Sequence, residues 1–454
     1  MRLLVRNNRM RRINSLNPES GTVLITVIWI VIVLAGLVLV FARSMRVEAT
    51  AVSNQVSAIQ AESIATGALR YIQSHLEDRN GIPPSEEEMP SEAVKLGDGY
   101  FWILRTPDEE STEHAFGLAD EAARINLNVA SEETLLKLPG MDEDLAAAII
   151  DWRDEDEETS SYGAEGDYYL SLPTSYNCKN SALETFDELL FVKDFTRSIL
   201  YGEDANRNGV LDSNEDDADK SEPADNRDGS LDRGLIDYVT VFSSEPNINA
   251  EGTQRANVNE RQELTGVLQE VLAGNRFTEV LAQLGRSPIE NIFDFYFRSD
   301  LTPEEFGQLE DRITASNEST VQGLVNVNTA SRSVLASLPG LDEGDAEELI
   351  SARAGRENDG TTVWAAGTLP KEKALLIGGS VTGRSFQYRA DIVSAVAGGR
   401  AWKRYRVFVD AASSPARVLY FKDLTHLGWP LDAETWDALR DGSIEDFVAV
   451  VGGR

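Results

Sequence analysis

Cysteine is nearly absent from this chain. Cys178 stands alone among 454 residues, which excludes an internal disulfide and leaves size or a bound metal to hold an exported domain together. Cys178 lies beside the loop residues Tyr176 and Asn177, reads as a structural thiol, and is assigned no chemistry. Histidine is scarce too: His75, His114 and His426 are far apart and offer no metal-ligand spacing. The sequence has no nucleophile–histidine pair, zinc spacing or phosphate loop, so nothing in it reads as an enzyme. Positive charge is also short. Lysine and arginine number 42 against 76 aspartates and glutamates, for a net charge of −34. So acidic a surface repels phosphate backbones and argues against general nucleic-acid binding.

Residues 22–42 lack charge and proline altogether and hold a single glycine, Gly36. As a helix this run spans about 31 Å, the thickness of a bilayer core, and it is apolar all round where a soluble helix would keep a polar face. It reads as a membrane span. Arg2, Arg6, Arg9, Arg11 and Arg12 precede it against Glu19, which keeps the N-terminus cytoplasmic and sends the rest of the chain to the periplasm. A cleaved secretory signal fits less well, because the core is too long and Phe41-Ala42-Arg43 is a poor cleavage site.

The junction Pro18-Glu19-Ser20-Gly21 places a glycine directly before the apolar run. It resembles the type IV prepilin and pseudopilin signal. That resemblance implies cleavage by prepilin peptidase between Gly21 and Thr22. Most chains of that class carry glutamate at mature position five, where this one has Thr26. The K minor pseudopilin of type II secretion commonly lacks that glutamate as well.

Beyond the span the sequence reads as helix to about Glu77, with Val52, Val56 and Ile59 in one stripe and Ile64, Ala68, Ile72 and Leu76 in a second. Strands are expected at residues 100–104 and 116–118. Helical patterns cover 260–272, 277–284, 289–297 and 303–313. Alternating residues at 386–392 and 402–409, then 418–421, predict a three-stranded antiparallel meander, and 432–450 predicts a final helix or two.

An internal repeat is spaced by two hundred residues. Ile125-Asn126-Leu127-Asn128 and Leu138-Pro139-Gly140-Met141-Asp142-Glu143 return as Val325-Asn326-Val327-Asn328 and Leu338-Pro339-Gly340-Leu341-Asp342-Glu343. Ser131 and Ser331 fit as helix N-caps, Leu-Pro-Gly as a tight turn, and the acidic pair as the opening of a second helix. Each copy reads as a helix-hairpin-helix unit. Such units bind DNA through a Gly-x-Gly hairpin, but Asp142 and Asp342 replace the second glycine and repel phosphate, so the packing role is preferred.

Residues 204–215 match the EF-hand calcium loop in every expected place. Asp204, Asn206, Asn208 and Asp212 stand at positions one, three, five and nine, Gly209 at six, Val210 at seven with its carbonyl, and Glu215 at twelve. No flanking helix pair is evident. A second, imperfect copy carries Asn226, Asp228, Gly229, Ser230 and Asp232, with Ala224 at position one and Leu235 at twelve. There Asp225 substitutes, or the segment helps the first site, or it is an ordinary Asx-rich turn. Residues 154–158 with Glu165 and Asp167 form a third, weaker candidate.

Taken in order, the leader ending at Gly21, Ile125-Asn126-Leu127-Asn128, Leu138-Pro139-Gly140, Asp151-Trp152-Arg153-Asp154, Gly163-Ala164-Glu165 before Tyr168-Tyr169, and Val325-Asn326-Val327-Asn328 resemble type II secretion system protein K, the large minor pseudopilin. The resemblance implies an α+β fold in which the transmembrane helix continues into a pilin-like αβ domain with an antiparallel sheet, interrupted by a large inserted all-α domain. The expected organisation is a leader at 1–21, the transmembrane helix at 22–42, the pilin-like helix and first strands at 43–118, the insert at 119–380 with its repeat units at 125–153 and 325–353, and the last strands and tail at 381–454. It also implies bound calcium, a place at the tip of the pseudopilus with the I- and J-type minor pseudopilins, contact with the major pseudopilin, processing by prepilin peptidase, and an inner-membrane location. The competing class is a membrane-anchored DNA-binding protein of the competence type, using the two repeat units.

Overall fold

The computed structural model describes residues 18–444 except 108, 110, 219, 221, 222, 224, 357 and 358. Residues 1–17 of the expected leader and the tail beyond 444 lie outside the described residues. The chain divides into two units, Met1–Ile59 and Gln60–Arg454.

In the first unit the described residues are helical, part of α1 (Pro18–Leu76). Helix α1 alone among the described residues is long and apolar enough to cross a membrane. Nothing in residues 22–42 breaks it, since proline is absent and the lone polar groups bond inward: the Thr26 hydroxyl donates to the Thr22 carbonyl at 2.9 Å. Gly21 and Thr22, the expected cleavage pair, fall within α1.

The second unit is built on an antiparallel sheet of strands β1 (Val94–Leu96), β2 (Gly99–Arg105), β3 (Gln387–Val396), β4 (Trp402–Asp410) and β5 (Arg417–Asp423), adjacent in the order β1-β2-β3-β4-β5. Ile392 lies opposite Ile103 on one side and Tyr405 on the other, which fixes the register of the three central strands. Alternation in the sequence puts Phe101, Ile103, Tyr388, Ala390, Ile392, Val407 and Val409 on one face. The second stripe of α1, with Ile64, Ala68, Ile72 and Leu76, covers that face. On the other face Trp102, Leu104 and Val393 pack with Leu431 and Leu439, the latter on the helix Ala433–Asp441. The expected meander and the expected strands before Arg124 are therefore present, although 116–118 splits into the short strands Ala115–Phe116 and Ala119–Asp120.

The strand Ala119–Asp120 still pairs with β3, opposite Arg389 and Tyr388, and beyond it the chain leaves the sheet until β3 itself. An all-α insert was the expectation; the structure corrects it. Ile125–Asn126 pairs in parallel with Val239–Thr240, Val325–Asn326 with Val381–Thr382, and Ala256–Asn257 with Ile313–Thr314, while Ser244–Pro246 pairs antiparallel with Thr320–Gln322. The cause is the backbone. The segments that lead into each repeat are buried, and their N–H and C=O groups need partners that helices several residues away do not supply. The same pairing shortens the helix expected at 303–313 to Pro303–Glu310, because Ile313 is drawn into a strand. The helix expected from 289 begins at Ile292 because the Asn291 side chain caps it, accepting from the Phe293 and Asp294 amides.

Candidate cation sites

Each repeat folds as two short helices about the Leu-Pro-Gly turn: α2 (Glu132–Leu136) and α3 (Glu143–Arg153) in the first, α4 (Arg332–Ser337) and α5 (Glu343–Ala352) in the second. The caps fall where expected. Ser131 and Ser331 accept from the amides of Thr134 and Val334, and Asp142 and Asp342 from those of Leu145 and Asp345. Gly140 and Gly340 take positive φ, 74° and 73°, which the turn requires. Arg153 then reaches back to the carbonyls of Leu127 and Ala130, and Arg353 to those of Val327 and Ala330.

The end of α3 brings together a carboxylate group. Oxygens of Asp151, Asp154 and Glu165 lie within 4.8 Å of one another. Glu165 is only 3% exposed, and among the described residues neither of its carboxylate oxygens has a hydrogen-bond partner; nor has Asp154 Oδ1. Burial, and after it the charges of Asp151 and Asp154, holds Glu165 above the usual carboxylate range against the softening effect of nearby Cys178 and Asn180. Burial followed by Asp156 and Asp151 does the same for Asp154. The loop is cut to fit. A Cβ on Gly163 would stand 2.0 Å from Asp151 Oδ2, and the Ser160 amide already donates to that oxygen at 3.1 Å. Trp152 beneath the group packs edge-on against Tyr169, with ring centroids 5.0 Å apart. Three converging carboxylates with unsatisfied buried oxygens suit a hard cation that takes oxygen ligands.

From the third sequence candidate, Asp154 and Glu165 meet here, while residues 155–158 and Asp167 face solvent. Asp151 was missed. Its signal was the three-residue spacing to Asp154, which sets both on one face at the end of a helix.

The loop 204–215 closes on itself. Asp204 accepts from the Asn208 amide at 3.1 Å and the Gly209 amide at 2.8 Å. Asn206 Oδ1 accepts from the Asn208 amide at 2.9 Å, and Asn208 Oδ1 from the Val210 amide at 2.8 Å. The amide groups of Asn206 and Asn208 donate to Asp212 Oδ2 at 2.6 and 3.1 Å. Glu215, 1% exposed, accepts from the Ala205 amide with Oε1 and the Asp212 amide with Oε2. Burial pushes Asp204 up to about 6 and Glu215 up to about 7; Asp237 adds to the first, and Asp204 and Asp212 to the second. The structure thus gathers Asp204, Asn206, Asn208, Asp212 and Glu215 around one turn, with Val210 bonded into it.

The second loop has the same backbone. Arg227 and Gly229 take φ of 56° and 76°, as Arg207 and Gly209 take 60° and 77°. Asn226 Oδ1 accepts from the Asp228 amide, and Asp228 Oδ1 from the Ser230 amide, each at 2.8 Å. Asp225 accepts from the amides of Asp217 and Ala218 and, within the loop, from that of Arg227 at 2.9 Å. Leu235 at position twelve is buried in the apolar core, and Glu203 takes its place. Glu203 accepts from the Asn226 amide at 2.9 Å and the Asp232 amide at 3.3 Å, as Glu215 does from positions three and nine of its own loop. Glu203 lies outside the twelve-residue window, so no spacing rule points to it.

Two family models match the chain, both described as type II secretion system (T2SS), protein K. One covers residues 117–201, the first repeat with its carboxylate group, and the other residues 325–372, the second repeat. Among solved structures, the chain is similar to one described as the crystal structure of the GspK-GspI-GspJ complex from the enterotoxigenic Escherichia coli type 2 secretion system. The identity is 12%, over 84% of this chain and 98% of that one, with a TM-score of 0.37. No curated protein matches. The two matched segments fall on the two copies of the repeat, and over both the chain is similar to type II secretion system protein K.

Proposed function

We propose that this chain is a minor pseudopilin, a structural subunit with no reaction of its own, that caps the periplasmic pseudopilus together with the I- and J-type minor pseudopilins and so supports export of folded proteins across the outer membrane. The observation that carries this reading is the family match on both repeats, set in a chain whose apolar helix leads into an antiparallel sheet. The apolar part of α1 anchors it once in the inner membrane, N-terminus cytoplasmic, after prepilin peptidase has cut between Gly21 and Thr22. The sheet with the second stripe of α1 is the pilin-like body. The repeats are helix-hairpin-helix units used for packing. Asp142 and Asp342, bonded as helix caps, put carboxylates where a DNA-binding hairpin needs glycine, which supports that role over DNA binding. Labelling residues 119–380 in isolated pseudopili should mark one end. Label along the whole shaft contradicts tip placement.

Calcium is the cofactor we propose, held by Asp151, Asp154 and Glu165 and by the loop of Asp204, Asn206, Asn208, Val210, Asp212 and Glu215. The weaker loop of Asn226, Asp228 and Asp232 takes Glu203 as its fourth carboxylate or amide side chain. The buried, unpartnered oxygens of Glu165 support the first of these, and the twelve-position match supports the second. Bound calcium neutralises clustered carboxylates and takes over the stapling that a single cysteine cannot provide. Calorimetric titration of the full chain with calcium, with and without Glu165→Gln and Glu215→Gln, tests each site; heats that neither substitution changes exclude both.

A further inference from the structure

The loop 204–215 is gripped by the central sheet. Arg404 on β4 has a side chain with 0% exposure. Its Nη1 donates to the Asn206 carbonyl at 2.6 Å, and its Nη2 to the Arg207 carbonyl at 2.6 Å and to Asp391 Oδ2 at 2.7 Å. Arg406 donates to the same Arg207 carbonyl at 3.2 Å and holds both oxygens of Asp391. Elsewhere the Asn208 amide group donates to the Pro430 carbonyl at 3.2 Å, and the Arg207 guanidinium lies 3.6 Å over the Tyr201 ring. A Cβ on Gly209 would stand 2.7 Å from Pro107, so that turn is also pressed close.

Positions three and four are the ones that matter. The Asn206 side chain belongs to the ligand set, and its carbonyl belongs to Arg404. Arg207 holds a left-handed φ of 60°, as Arg227 does at the matching position of the second loop, a conformation uncommon for a residue with a Cβ. The guanidinium fork of Arg404 spans both peptide groups and fixes the turn that points Asn206 and Asn208 inward.

We infer that Arg404 is a positioning residue for the cation loop, so that calcium binding and the docking of residues 204–215 on the sheet are linked. This rests on the calcium reading of that loop. Linkage works in both directions. Without Arg404 the ligands remain, but the cation must order the turn itself, and affinity falls by the fraction of time the turn is formed. Without the cation, Asp204, Asp212 and Glu215 repel one another, the turn loosens, and a buried guanidinium loses two carbonyl acceptors.

The test uses the full chain in detergent, carrying Glu165→Gln and Glu203→Gln to silence the carboxylate group and the second loop, with calcium alone as the probe. Calcium should slow amide hydrogen exchange across residues 402–410. Arg404→Met should weaken calcium binding by about tenfold with the number of sites unchanged. Arg404→Lys, a single-point donor, should fall between, and Arg417→Met on the exposed edge of β5 should match the parent. Calcium binding with unchanged exchange at 402–410 overturns the linkage and leaves the calcium reading standing; this arm needs no Arg404 variant to fold. A folded Arg404→Met chain with parental affinity does the same. Absence of binding that Glu215→Gln can remove overturns the inference and the calcium reading of the loop together.

Discussion

The two repeats share a scaffold and differ where the second helix ends. Both carry the serine cap, the aspartate cap, the glycine turn and the arginine that returns to two carbonyls. The first copy closes α3 with Asp151 and Asp154; the corresponding positions at the end of α5 are Ser351 and Ala354. The copies also touch: the Lys137 ammonium donates to the carbonyls of Leu338 and Leu341, and Ser337 occupies the matching place in the second copy. What recurs in both copies is therefore what makes two short helices pack, and what occurs once is what the packing holds in place. Helices of five and six residues do not persist alone in water, so the recurring contacts are where the scaffold is most vulnerable.

Asn126 and Asn326 test this most strongly. Both are buried, and both accept from an amide two residues on, Asn128 at 2.9 Å and Asn328 at 3.0 Å. Their donor ends differ. Asn126 reaches the Ser243 carbonyl, whereas Asn326 reaches Oδ2 of the buried Asp120 at 2.8 Å. Alanine at either position should cost about 2–4 kcal/mol in urea unfolding, with Asn326→Ala the larger because a buried carboxylate loses a donor. Losses under about 1 kcal/mol at both sites would mean that the repeat is held by apolar contacts alone.

The acids beside the copies also contrast. Next to the second copy stands Glu310, whose Oε1 accepts from the Thr362 amide at 2.7 Å while its Oε2 is buried with no partner among the described residues. Burial pushes it up to about 7 from an ordinary 4.5. A carboxyl with a raised folded pKa holds its proton longer in the folded chain than in the unfolded one. Its unfavourable contribution is absent below about 4.5, grows as pH rises, and is complete above about 7. Over that window wild type should lose on the order of 3 kcal/mol relative to Glu310→Gln, read as converging unfolding curves at low pH. Parallel curves would show that Glu310 is solvated.

Sequence and structure agree where the signal is local. Caps, the Leu-Pro-Gly turns and the alternation of β3 and β4 are set by neighbours a few residues apart, and they fall within a few positions of expectation. The meeting of Asp151 with Glu165 was half legible, through Asp154 and the Gly163-Ala164-Glu165 run. Glu203 over the second loop and Arg404 under the first were not legible, because each contact joins segments that only the folded core brings together. The two-residue parallel strands were hidden for the same reason: a pair that short has no period to detect.

The carboxylate group is the feature the second copy lacks, and calcium should separate the copies. With Glu215→Gln and Glu203→Gln present to silence both loops, calcium at about 100 times its dissociation constant should raise stability by about 2.7 kcal/mol, and a further Glu165→Gln should abolish the gain. A melting temperature that still rises with calcium after all three substitutions places the ion elsewhere. Adding acids to the second copy, as Ser351→Asp with Ala354→Asp, should not create the gain, because no counterpart of Glu165 completes the set.

The smallest effects fall on the serine caps, and they ask whether the copies fold independently. Ser131 Oγ accepts from the Thr134 amide at 3.2 Å and also contacts the Thr134 hydroxyl at 2.9 Å, while Ser331 Oγ accepts from the Val334 amide at a longer 3.4 Å. Ser131→Ala should therefore cost about 1 kcal/mol and Ser331→Ala about half of that. The caps share no hydrogen-bond partner, so a local loss at each should add within about 0.5 kcal/mol in the double variant. Yet α2 and α4 are in contact, and Leu135, Leu138, Leu335 and Leu338 lie in a single core. A coupling well beyond that margin would show that fraying one first helix loosens the other, so that the two repeats form a single folding unit.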